Sequence, residues 1–149
     1  MPVVHIDTIE RSVQKTNQWL QELVNELGTD GRTSWRVLRG YLQVLRDRLT
    51  IDEAAQLAAQ LPHVLRGVFY EGFDPGHQPQ KIRDPDVFLA RFADHAQLRE
   101  GDDPATAAAA VTRVLRRHVA GGEVDDVLSQ LPLEIRKVLE PNRRPADQP

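Results

Sequence analysis

An all-α fold, a single helical-bundle domain of about seven or eight helices, is what this sequence predicts, on three observations. Alanine, leucine, arginine, glutamate and glutamine, all good helix formers, dominate the composition. Apolar residues recur at steps of three and four along most of the chain, the period of a helix buried on one side. The alternation expected of strands is confined to Val3-Val4-His5-Ile6. The chain's 149 residues are enough to bury a core, and its lack of cysteine excludes a disulfide framework, a cysteine zinc site and a thiol nucleophile.

The elements follow in order. Asp7-Thr8-Ile9-Glu10 has capping-box spacing, and Ile9, Val13, Leu20, Leu23, Val24 and Leu27 then repeat at helical intervals up to Gly28, which suits a left-handed stop. After Asp30-Gly31, the residues Trp35, Leu38, Leu42, Leu45 and Leu49 line one side of a second helix, with Arg32, Arg36, Arg39 and Arg46 on the other. Thr50-Ile51-Asp52-Glu53 is another capping box, opening a short helix to Gln60, and Pro62 suits the first turn of the next, which ends near Tyr70. Residues 70–85, with Pro75, Pro79, Pro85, Gly72 and Gly76, read as an extended connection. Asp84-Pro85 and Asp103-Pro104 each put a capping acid before a proline suited to the first helical position, and Gly121-Gly122 is expected to end the second of these helices. Short helices over 123–130 and 132–139 complete a domain spanning 1–140. Residues 141–149, with three prolines, are expected to be a mobile, disordered tail.

The chain also matches itself. A shift of 70 positions lays residues 44–69 over 114–139 without a gap, and nine of these 26 positions are identical, among them Arg46/Arg116, Glu53/Glu123, Gln60/Gln130, Pro62/Pro132 and Arg66/Arg136. Helical periodicity constrains apolar positions and says nothing of Gln or Arg. Two pseudo-repeats are therefore expected, at 8–70 and 85–140, sharing one core. Trp35, Leu38 and Tyr41 fall opposite Ala105, Ala108 and Val111, so large residues of one copy could fill space left by small ones of the other. The plainer account is an alanine run that simply favours helix.

The string WRVLRGYLQVLRDRLTIDEAAQLAAQLPHVLRGVFYEGFDP, with the later VLRRHV and QLP-LEIR elements, resembles the bacterial domain-of-unknown-function family 2267 over about residues 8–140. Phe73 stands where a tryptophan is more usual in that family. The resemblance implies a small helical protein without an assigned activity, so it transfers no catalytic residue.

Charge and motifs exclude more than they assign. Sixteen arginines and three lysines face 22 acids, a net charge of −3, which argues against a general attraction to nucleic acid. No apolar run reaches membrane-spanning length and the first ten residues lack a signal-peptide pattern, so a soluble, cytoplasmic protein without a membrane partner is expected. P-loop, dinucleotide, calcium-loop and Gly-x-Ser-x-Gly patterns are absent, and no cofactor, metal or catalytic residue is assigned. His118 near Glu123, Asp125 and Asp126, and His77 near Glu71 and Asp74, offer weak acid/base or metal constellations. Solvated histidines are the plainer reading.

Three sets of residues remain. Arg36, Arg39 and Arg46, with Arg113, Arg116 and Arg117, form a candidate anion-binding face, although pairing with neighbouring acids is commoner. The repeated arginines Arg46/Arg116 and Arg66/Arg136 are expected to bond carbonyls or acids at the joints Gln60-Leu61-Pro62 and Gln130-Leu131-Pro132. Phe69, Tyr70 and Phe73 either seal the core or form an interaction surface. The expected function is a non-enzymatic interaction or accessory module, whose partner is another protein or a second copy. The alternative is a regulatory module binding nucleic acid or a small anionic ligand through the arginine-bearing helices, and an enzyme of unknown type comes third.

Overall fold

The computed structural model describes residues 3–142, and among these it holds eight α-helices and no strand. The helices are α1 (Asp7–Leu27), α2 (Gly31–Asp47), α3 (Ile51–Gln60), α4 (His63–Tyr70), α5 (Pro85–Ala96), α6 (Pro104–His118), α7 (Gly121–Ser129) and α8 (Leu133–Leu139). The expected strand-like start at residues 3–6 has no regular structure. Of the expected tail, residues 143–149 lie outside the described residues.

Local chemistry accounts for most helix ends. Thr50 accepts from the Glu53 N–H at 3.1 Å, Asp84 from Asp86 at 2.8 Å and Asp103 from Ala105 at 3.1 Å. Gly28 closes α1 at φ 64°, a conformation that costs glycine little. Asp30 caps α2 through the Thr33 N–H at 2.7 Å. Three boundaries correct the expectation. Ile6 stands at the N-cap of α1 and no side chain caps it, so Asp7 is a first-turn acid facing the helix dipole. Gly121 and Gly122 open α7 and do not end α6, which stops at His118 because Val119 turns extended and buries its side chain. Pro62 and Pro132 sit just ahead of α4 and α8, not within their first turns.

The connection over residues 70–85 is more structured than an extended linker. It contains a 3-10 turn (Pro75–His77) and a cis Gln78–Pro79 bond. The Gln78 amide donates to the carbonyls of Arg46 and Leu49 at 2.8 and 2.9 Å, and the Gln80 N–H donates to Asp47 at 2.7 Å. These bonds bring donors to the carbonyls at the end of α2, where the Arg46 carbonyl also accepts the Leu49 N–H, and Ile82 of the same connection is buried.

Packing runs crosswise between the two halves. The central helices α2 and α6 touch each other; α2 also lies against α5, and α6 against α1, while α3 meets α7. The α2–α5 approach is so close that a Cβ on Gly40 would sit 2.6 Å from the Ala96 nitrogen. Tyr41 and Thr112 share a buried 2.8 Å hydrogen bond across the α2–α6 contact. Buried apolar side chains from all eight helices form one contiguous cluster. No described helix is long and apolar enough to cross a membrane.

Candidate functional site

The arginine faces are engaged within the protein. Arg46 is buried near the end of α2, where its guanidinium donates to the neighbouring Asp47 carboxylate at 2.9 and 3.0 Å. It also donates to the Phe69 and Glu71 carbonyls at 2.9 and 2.5 Å, at the open end of α4. Arg39 reaches the Glu71 carboxylate at 3.3 Å. On α6, Arg113 meets Glu26 at 2.9 Å, Arg117 bridges Glu22 and Glu26, and Arg116 holds Asp125 at 2.8 Å and Glu140 at 2.7 Å. Hydrogen bonds from Arg117 and Arg113 hold the Glu26 carboxyl below its usual pKa, and Glu140 keeps Arg116 more firmly protonated. Arg36 alone among the six candidates forms no ion pair among the described residues; it reaches the Thr33 hydroxyl at 3.5 Å and lies near enough to Asp30 to help lower that carboxyl's pKa. The expected anion-binding face is thus largely neutralised, on α2 by Asp47 and Glu71 and on α6 by acids from α1, α7 and the chain after α8. Most of these acids are remote in sequence.

The other candidates divide similarly. Phe69 is fully buried, and Tyr70 and Phe73 are half-buried, stacked edge-on in series at 5.2 and 5.3 Å. The Arg46 guanidinium lies over Phe73. These aromatics seal the α4 end, and Phe69 cannot belong to an exposed surface. Arg66 behaves as the joint hypothesis expects, donating to the carbonyls of Ala58, Ala59 and Leu61 at 2.8 to 3.4 Å. Arg136 does not, since its buried Nε has no partner among the described residues. Nor do Arg46 and Arg116 act at the joints: Arg46 binds the C-terminal end of α4 and Arg116 binds Glu140, just past α8, together with Asp125.

His118 pairs with Glu22, not with the acids that follow it in sequence, and its ring stacks on Trp19 at 5.0 Å. His77 is exposed and bonds Asp74 at 2.5 Å. Among the described residues no group of three or more histidines and carboxylates is placed to hold a metal ion. One acidic pair stands out at α3–α7, where Glu53 and Glu123 each carry a buried carboxylate oxygen without a partner. Burial, followed by repulsion from Glu53 and Asp126, pushes the Glu123 carboxyl above its usual pKa.

A cleft of about 360 Å³ lies between α1 and the Gln60-Leu61-Pro62 joint, with His118 also in its lining. Its floor is buried: Ser12, Trp19 and Leu61. Ser12 accepts the Val64 N–H at 3.0 Å, which fixes the start of α4 against α1. Arg11, Lys15 and His63 line its walls, and no acid does. No sequence motif marks these three. The four-residue spacing of Arg11 and Lys15 puts them on one side of α1, but only the fold brings that side over the joint.

No curated protein matches the chain. The model of one family matches residues 16–138, a narrower stretch than the resemblance implied and one that begins after Arg11 and Lys15. The chain therefore belongs to the family described as Uncharacterized conserved protein (DUF2267).

Proposed function

We propose that this chain is a non-enzymatic accessory module of the bacterial cytoplasm that works by docking to protein through the outer face of α1, with a second copy of itself as the first partner to test. One observation carries the reading. Ile6, Ile9 and Val13, spaced along one side of α1, are 48%, 61% and 45% exposed, and Val3 and Val4 stand exposed just before them. Such a stripe is self-complementary. An antiparallel pairing of two α1 helices about a two-fold axis lays Ile9 of each copy against Val13 of the other. Burying each of these side chains would contribute about 2 kcal/mol.

The same reading takes the chain as two copies of a four-helix unit. The gapless internal match and the crosswise packing of α2 on α5 and α6 on α1 support it. The competing reading, nucleic acid or a small anion held on the arginine-bearing helices, loses support because five of those six arginines already bond carboxylates.

Sedimentation velocity across a wide concentration range tests the docking reading. Concentration-dependent association of the wild type, abolished by Ile9→Lys with Val13→Lys, is the expected result. A wild type that stays monomeric throughout removes self-docking. A dimer untouched by the double substitution removes this face.

A further inference from the structure

The cleft over the first joint carries an assignment independent of the docking face. We infer that it is a binding site for a small phosphorylated molecule, a phosphate monoester of sugar-phosphate to mononucleotide size. Its volume of about 360 Å³ falls at the lower end of small-molecule sites and exceeds what a lone phosphate ion needs.

Charge identifies the ligand's head group. Arg11 and Lys15, one turn apart on α1, both line the cleft, and neither makes an ion pair among the described residues. That contrasts with the arginines of α6, each of which is held by a carboxylate. In a chain of net charge −3, the cleft is a place where positive charge remains uncompensated, and an anion entering it meets no opposing acid in the lining. His63 adds an imidazole at the first residue of α4. Ser12 adds a hydroxyl on the floor: its oxygen already accepts from Val64, and its own proton has no acceptor among the described residues.

Two permanent cations, an imidazole and a hydroxyl suit a group with two charges and three free oxygens. A carboxylate would satisfy one cation and leave the other unmatched. The rest of the lining, the partly exposed His118 ring stacked on the buried Trp19 and the amides of Gln18 and Gln60, supplies ring edge and hydrogen-bonding groups, fitting an organic body with hydroxyls.

Calorimetric titration of the full chain with inorganic phosphate, ribose 5-phosphate and adenosine 5′-monophosphate tests the assignment. One of the two esters is expected to bind about tenfold or more tightly than inorganic phosphate. Replacing Arg11→Gln and Lys15→Gln together should weaken that ester by roughly a hundredfold, about tenfold for each charge-assisted hydrogen bond removed. Arg32→Gln, an exposed arginine outside the cleft, should leave it unchanged. Both cleft side chains are exposed, so circular dichroism of the double variant should match the wild type. Failure of both esters to bind, or ester binding that survives the double substitution, overturns the site. Inorganic phosphate binding as tightly as the esters overturns the organic ligand.

Discussion

The joint before α4 and the joint before α8 have nearly the same backbone and different surroundings. Pro62 and Pro132 adopt φ, ψ of −53°, 147° and −54°, 145°, and Leu61 and Leu131 are buried to the same 3%. Yet Arg66 ties its joint to three carbonyls while Arg136 leaves a buried nitrogen unpartnered. The first half of α1 crosses the first joint and lines a cleft with it, and α1 runs for 21 residues where α5, beginning at Pro85, runs for 12. A shared tripeptide fixes the local path of the chain. What packs against that path differs between the two joints.

Substitutions made in matched pairs can break or sharpen this contrast. The largest effect is expected at the helix crossings. Gly40→Ala would drive a Cβ to 2.6 Å from backbone nitrogen and 2.9 Å from the Cα of Ala96, neither the end of a flexible side chain. A loss of about 3 kcal/mol is expected in denaturant titration. The matched Ala110→Gly in α6 should cost only about 1 kcal/mol. Equal losses would mean that the two crossings are equally tight.

Next come the joints themselves. Arg66→Met should cost about 2 kcal/mol by leaving carbonyls at the α3 end unsatisfied, whereas Arg136→Met should be neutral or slightly stabilising. If thermal melts show the two variants equally destabilised, the joints are alike after all. Across the central contact, Tyr41→Phe removes one buried hydrogen bond at a cost of about 1 kcal/mol, because Thr112 keeps its bond to the Ala108 carbonyl at 2.9 Å.

The smallest effects are electrostatic and opposite in sign. Glu123 has its folded pKa raised above the usual 4.5, so the folded state holds its proton longer than the unfolded chain. Stability therefore falls as pH rises from about 4.5 through the raised value. Glu123→Gln should raise the melting temperature at neutral pH and have no effect in acid below about 4.5. Glu26, with its folded pKa lowered by Arg117 and Arg113, contributes stability above about 4.5 that is lost as pH falls through the lowered value. Glu26→Gln should lower the melting temperature at neutral pH, less so in high salt, and the loss should fade in acid. Two melting curves moving in the same direction would contradict one of the two assignments.

What the sequence discloses follows from how local each determinant is. Thr50, Asp84, Asp103 and Gly28 act within one turn of their own position, so these caps are legible directly. Asp7 misleads because its spacing to Glu10 matches a capping box that the backbone does not use. The double glycine misleads because Val119 already ends α6 by burying itself. The fate of the arginines is out of reach of local pattern: Arg113 and Arg117 meet acids about ninety positions away, and only the packing of α1 on α6 makes them neighbours. Arg11 and Lys15 are silent in the sequence for the same reason, since half of their site comes from another helix pair.

The strapping of residues 70–85 onto the end of α2 bears on how two molecules could join. Similar halves linked by a free tether invite reciprocal exchange, in which each copy lends one half to the other. Here Gln78 and Gln80 fasten the tether to α2 before it reaches α5. Exchange would first have to release those three bonds and expose Ile82. Dimers of this protein should therefore form and separate quickly, as intact bodies meeting at a surface, and should leave no slowly dissociating entangled species.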